Sequence, residues 1–278
     1  MINIVIYCSQ GLTNLMHECI IVGIKIIGAK NMFIFLRLLL AHFIGDFPLQ
    51  SNSIYKLKYR GLKGIVPHSV IIAGSLILFS WPYLKLPGLW GFICVVTIAH
   101  LLQDWMKMVW KKGQKENFCQ YLLDQFLHIG VIATVFLTGL KNLKPPEQAV
   151  GKLASFYNTD KIIVCLILLI VATYNGNYMI ETFKYTFLKT RHNYTLFESW
   201  YGMFERAMIV LIFLYGGVFL MIIPFVFCLR FPVYRVALKN KLDLSEEFVS
   251  FLEISLSGTI ALAAGIILYL IEPSGSFS

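Results

Sequence analysis

Seven stretches of this chain are long and apolar enough to cross a lipid bilayer, and they constrain its fold more than any other feature. They fall near Met32–Leu49, Ile65–Pro82, Gly88–Met106, Tyr121–Leu140, Ile162–Ile180, Ala207–Leu229 and Phe248–Ile271. A helix needs about 20 residues to span the hydrocarbon layer. In lipid every backbone N–H and C=O must be satisfied internally, which continuous apolar runs achieve as helices. The expected fold class is therefore all-α, a polytopic transmembrane bundle of about seven spans. Composition agrees: 58% of residues are hydrophobic and 14% charged, and the mean hydropathy is +0.71. A soluble domain carries roughly 25% charged residues. A water-soluble enzyme, a disordered chain and an ordinary nucleic-acid module are excluded. The net charge of +9 then reads as basic loops facing the cytoplasm and its anionic lipids, not as affinity for nucleic acid.

Three regions follow. Residues 1–31 form an N-terminal extension, either an interfacial helix or an appendage upstream of a start at Met32. Residues 32–140 form a four-helix transmembrane unit, and residues 141–278 add three spans with their connectors, including a charged, amphipathic Arg230–Glu247 segment. The densest basic loops, with Lys56, Lys58, Arg60 and Lys63 in one and Lys107, Lys111, Lys112 and Lys115 in another, are expected on the cytoplasmic side. The six cysteines have no CxxC pair and no regular spacing, so they read as small buried hydrophobes.

Ionisable residues inside the spans carry the information about chemistry, because an Asp at the centre of a membrane helix costs roughly 2.5–3.5 kcal/mol on insertion scales. The chain has His42-x3-Asp46, then His68, then His100-x3-Asp104, then Asp124-x3-His128. Each i, i+4 pair places a His and an Asp on one helix face, about 6 Å apart along the axis. The order reverses in the fourth span, which runs in the opposite direction. All three pairs therefore present His deep and Asp shallow at the same side of the membrane. His68 enters from that side too, just after Pro67 at the start of the second span. The pattern His42-x3-Asp46-x21-His68 is echoed by His100-x3-Asp104-x23-His128, a hint of a duplicated helical hairpin.

Imidazole and carboxylate together suit zinc, manganese or iron. The candidate ligands of a divalent metal are His42, His68, His100, His128, Asp46, Asp104 and Asp124. In this reading the deep His42, His100 and His128 form a three-imidazole centre. Asp46, Asp104 and Asp124 orient them or act as catalytic base. Six or seven ligands could also hold two metals. Lys107, Gln50 and Gln125 stand beside the set as candidate substrate-binding groups. The blander reading is a hydrogen-bonded network that joins the helices. Glu205–Arg206 reads as an ion pair at the start of the sixth span. Glu253 enters from the side opposite the site, and His17 and His192 receive no role.

At AHFIGDFPLQ (41–50), HLLQDWMK (100–107), LLDQFLH (122–128), GMFERAMIVL (202–211) and LEISLSGTIA (252–261), the chain resembles an uncharacterised bacterial integral-membrane family, domain of unknown function 3307. The resemblance runs from about Met32 to the C-terminus and departs at FVFCLRFP (225–232), where a small-Lys-Ser stretch is expected. It implies a multi-pass protein of the bacterial cell membrane, but no reaction. The paired HxxxD helices are further similar to those of membrane-bound metal-dependent hydrolases, which implies metal-assisted hydrolysis. The leading expectation is a metal-dependent membrane hydrolase whose partners are membrane lipids and a lipid-linked or amphipathic substrate. The alternatives are a metal-ion or proton-coupled transporter and a non-catalytic membrane scaffold.

Overall fold

Helix α1, Phe33–Asp46, is apolar on every side apart from three residues, and a helix of that kind belongs in the middle of a bundle. The computed structural model, which describes residues 32–58, 61–111, 116–146, 152–189, 196–227 and 244–271, places it there. Ile34, Leu38, Leu40 and Ala41 have no exposed surface. The helix stops before Pro48, which disfavours helical geometry in the residue preceding it.

The other helices surround or extend this rod. A short α2, Asn52–Lys58, leads to α3, Leu62–Phe79, which contains Pro67 in its second turn. Helix α3 begins three residues before the expected Ile65, so Pro67 lies further inside it than its first turn. Helix α4 spans Pro87–Lys111. Helix α5, Phe118–Ala133, opens on a capping box: Asn117 accepts from the Gln120 amide at 2.8 Å, and the Gln120 side chain accepts from the Asn117 amide at 3.3 Å. A short α6, Lys152–Asn158, precedes α7, which runs from Asp160 to Leu188 with widened turns at Val171–Asn175 and Lys184–Leu188. Helices α8, Leu196–Tyr215, and α9, Leu244–Leu270, complete the bundle. No strand occurs among the described residues.

Five helical segments are long and apolar enough to cross a membrane: Leu62–Phe79, Pro87–Trp110, Phe118–Leu137, Asp160–Leu188 and Phe251–Leu270. Helix α1 has only 14 residues, and α8 carries Glu198, Glu205 and Arg206. The outer surface is apolar, with Val70, Leu78, Val95, Ile98, Leu123 and Leu137 all exposed. One continuous core joins α1, α3, α4 and α5 to α7, α8 and α9 through Leu38, Leu76, Ile93, Ile132, Ile163, Val210 and Leu268. Of the described cysteines, Cys165 is buried as expected, whereas Cys94 and Cys119 are free and exposed on outward helix faces.

The C-terminal part corrects the expected path. The apolar run Ala207–Leu229 is not one span: α8 ends at Tyr215, and Gly216 and Gly217 follow with φ of 62° and 56°. The chain turns back there into an 11-residue apolar helix, Gly217–Phe227, and Phe227 packs beside Gly258 of α9. Helices α8 and α9 run parallel, since Arg206 bonds Ser257 and Phe213 packs on Gly265. Glu253 therefore sits at the same end of the bundle as the C-terminal end of α7, where it pairs with Lys184 at 2.7 Å, and does not enter from the opposite side. Residues 1–31, with His17, and also His192, Gln114 and the connector over 228–243 lie outside the described residues.

Candidate metal centre

The reversal of chain direction between α4 and α5, together with the i, i+4 spacing, brings the expected side chains to one end of the bundle. His42 and Asp46 come from α1, His68 from α3, His100 and Asp104 from α4, and Asp124 and His128 from α5. All seven are buried, with the four imidazoles no more than 2% exposed. A Cβ added at Gly45 would stand 2.7 Å from Ile72 Cδ1, so the glycine lets α1 and α3 approach closely beside Asp46 and His68.

The four rings form one contiguous cluster, in which His42 and His128 stack at an interplanar angle of 20°. Centroids of His100 and His128 are 4.4 Å apart, His42 and His128 5.3 Å, and His68 and His100 5.1 Å. At its shallow edge, His68 Nε2 lies 3.0 Å from His100 Nε2, 3.1 Å from Asp46 Oδ1 and 3.7 Å from Asp104 Oδ2. His100 Nε2 is in turn 3.5 Å from Asp104 Oδ2. Two imidazole nitrogens at 3.0 Å cannot both point lone pairs at one another. A proton or a cation has to lie between them.

Donor and acceptor assignments favour ligation. His128 donates from Nδ1 to the Asp124 carbonyl at 2.7 Å, which turns its Nε2 lone pair inward. That Nε2, His42 Nε2 and His100 Nδ1 are buried and have no hydrogen-bond partner among the described residues. With its amide oriented to satisfy both neighbours, Gln50 accepts from Lys58 Nζ at 2.7 Å and donates to the Asp46 carbonyl at 3.2 Å. Its oxygen then faces His68 Nδ1 at 3.5 Å, an outer contact of the kind that orients a ligand ring. Two groups of three each bring one donor atom per residue within 4.8 Å of the others: Asp46, His68 and His100, and His100, Asp104 and His128. His100 belongs to both.

This geometry differs in detail from the layered expectation. The compact groups mix imidazole and carboxylate, and His42 stacks against the cluster without joining either group. Asp124 turns away towards Lys107, whose Nζ sits 2.6 Å from its carboxylate and 2.8 Å from Glu116 Oε1. The structure therefore places Lys107 between two carboxylates. Gln125 is buried near the cluster, and its Oε1 has no partner among the described residues.

Sequence reasoning missed Lys58 and Glu116. Lys58 Nζ is 2.9 Å from Asp104 Oδ2 and 3.8 Å from Asp46 Oδ1. Glu116 accepts from the Tyr178 hydroxyl at 2.8 Å and so joins the site to α7. Both residues stand in segments that read as ordinary loops, and neither shares a helical period with the His/Asp pairs. Glu205 and Arg206, expected at the start of the sixth span, fall in the interior of α8. Arg206 lies in the middle of α8 at 1% exposure, and it donates to the Ala172 carbonyl, Asn177 Oδ1 and Ser257 Oγ, the last at 2.8 Å.

No curated protein and no solved structure matches this chain. A family model does match, over a narrower stretch than the resemblance that runs to the C-terminus. The match takes in all of the His/Asp cluster, Lys58, Lys107 and Glu116, and it stops short of α7. Residues 34–156 match the model of DUF3307, a protein family of unknown function.

Proposed function

We propose that the His/Asp cluster binds a divalent metal, zinc, manganese or iron, and that the protein is a membrane-embedded, metal-dependent hydrolase. Its substrate in this reading is lipid-linked or amphipathic and is met at the membrane surface. One observation carries the reading: donor atoms of Asp46, His68, His100, Asp104 and His128 converge in two overlapping groups, and the inward Nε2 of His128 is buried with no hydrogen-bond partner among the described residues. A buried polar atom without a partner costs about 1–3 kcal/mol, and a network built only to join helices would satisfy its own atoms.

A bound divalent metal supplies water whose pKa falls from 15.7 to about 7. The chain's residues supply the rest. Gln50 and the Asp124 carbonyl hold the rings of His68 and His128 in place. Asp46 and Asp104, at the shallow edge, are placed to take a proton from water at the mouth. The apolar packing around His42 and His128 keeps bulk water out of the deep side.

The test is metal content per chain in detergent-purified protein without chelator or affinity-tag histidines. His100 belongs to both groups, so His100→Ala is expected to lose most of the metal, whereas His42→Ala is expected to keep most of it. The metal-loaded wild type should release head groups from a membrane lipid extract, and His100→Ala should not. Wild type that stays metal-free after loading with zinc, manganese or iron overturns the reading.

A further inference from the structure

A lysine of the chain itself stands beside the carboxylate pair. Lys58 Nζ stands 2.9 Å from Asp104, 3.8 Å from Asp46 and 2.7 Å from the Gln50 oxygen, and its side chain is 11% exposed. An ammonium is a compact point charge, and here it lies within ion-pair distance of both Asp104 and Asp46, two carboxylates that a divalent cation would also use. Lys58 comes from α2, a seven-residue helix between α1 and α3. Its other inward group, Tyr55, bonds Tyr178 across the mouth.

Helix α2 is held in this position by a close contact. A Cβ added at Gly64 of α3 would lie 1.7 Å from the Leu57 carbonyl oxygen and 2.9 Å from the Lys58 amide nitrogen. The backbone that carries Lys58 can therefore seat itself only against a residue without a side chain. Any larger residue at position 64 has to push Leu57 and Lys58 away from the site.

We infer that Lys58 is a tethered counter-cation of the metal centre: its ammonium competes with a metal for the carboxylate face of Asp46 and Asp104, and metal binding displaces it together with α2. Two cations cannot share that face. An ammonium beside two carboxylates neutralises part of the charge that draws a metal in, and a bound metal removes the ammonium's partners. Lys58 thus sets how much affinity a metal needs before α2 lifts from the site. The inference rests on the proposed metal site.

The experiment measures zinc and manganese affinity by calorimetry on the full-length protein in nanodiscs, with backbone hydrogen exchange over Asn52–Lys58 followed in parallel. Lys58→Met keeps length and apolar stem but removes the charge, and it is expected to bind metal about tenfold more tightly than wild type, a factor equivalent to about 1.4 kcal/mol. Lys58→Arg keeps the charge and should stay near wild type. Gly64→Ala leaves Lys58 intact but unseats it, so it should bind more tightly as well. If Gly64→Ala fails to fold, Lys58→Met still decides. Metal should accelerate exchange over Asn52–Lys58 in wild type and leave it unchanged in Lys58→Met. Equal or weaker affinity in Lys58→Met, or α2 exchange that ignores metal in wild type, overturns this inference alone. Absence of metal binding in wild type overturns the proposed function beneath it.

Discussion

Arg37 has no exposed surface, although it sits in the most apolar helix of the chain. Its guanidinium donates to the Phe33 carbonyl at 2.9 Å, to the Tyr157 carbonyl and to Asp160, and it lies 3.6 Å above the Phe33 ring. Two tyrosines complete this corner, which is at the end of the bundle away from the His/Asp cluster. Tyr157 donates to the Phe79 carbonyl at 2.8 Å, and Tyr83 to the Lys144 carbonyl. Burial pushes the Tyr83 phenol up to about 12 and raises Tyr157 as well. A group with a raised folded-state pKa stabilises the fold fully below its unfolded value, about 10 for tyrosine. That contribution is lost as pH rises through the folded value. The melting temperature should therefore fall between about pH 10 and 12, and Tyr83→Phe should make that fall shallower; a profile unchanged by Tyr83→Phe would refute the assignment. The residues legible in the sequence were those with helical spacing, because i, i+4 fixes a face without knowledge of any neighbour. Arg37, Lys58 and Glu116 were not legible as partners. Their meaning depends on which helix or loop lies opposite, and spacing along the chain carries no record of that.

Among the elements, α7 departs most from regular geometry, and α8 explains why it can. The widened turn over Val171–Asn175 releases carbonyls from their usual helical bonds. Arg206 collects the Ala172 and Thr173 carbonyls and Asn177 Oδ1, and it also reaches Ser257 of α9. One buried side chain thus ties three helices together around an irregular turn. Replacing it by methionine keeps much of the volume and removes every donor. Arg206→Met should cost at least roughly 1–3 kcal/mol, the penalty of one unsatisfied buried acceptor. Arg206→Lys should recover only part, because an ammonium cannot match the fork of donors. Thermal melts of the two variants in the same detergent check this, and a melting temperature within 1–2 °C of wild type for Arg206→Met would contradict it. At this scale the sequence disclosed most helices but not their direction in the C-terminal part. The apolar run through Tyr215 and Phe219 continues across Gly216 and Gly217, and hydropathy has no term for a reversal of the chain.

The whole molecule is polarised. The His/Asp cluster, Lys58, Lys107 and Glu116 gather at one end, with the Lys184–Glu253 pair nearby, while Arg37, Tyr83 and Tyr157 close the other. Exposed tryptophans mark both ends, Trp81 and Trp90 at one and Trp105 and Trp110 at the other, as expected where indoles meet a membrane interface. Seven evenly alternating spans would return the C-terminal end of the last helix to the cluster's side. The parallel course of α8 and α9 sends Ile271 to the opposite side, level with the loop that holds Lys85, because Gly216 packs beside Tyr269 and Arg206 bonds Ser257. The two topologies are separable by labelling single cysteines in sealed vesicles with a membrane-impermeant thiol reagent, in a background where all six native cysteines are replaced. Cysteines at Ser53 and Lys189 should react from one face. Cysteines at Lys85 and Ile271 should react from the other. The pairing of Ile271 decides the matter, since every other position is placed alike by both topologies. If Ile271 labels together with Ser53, the parallel arrangement of α8 and α9 is wrong, and with it the turn at Gly216–Gly217.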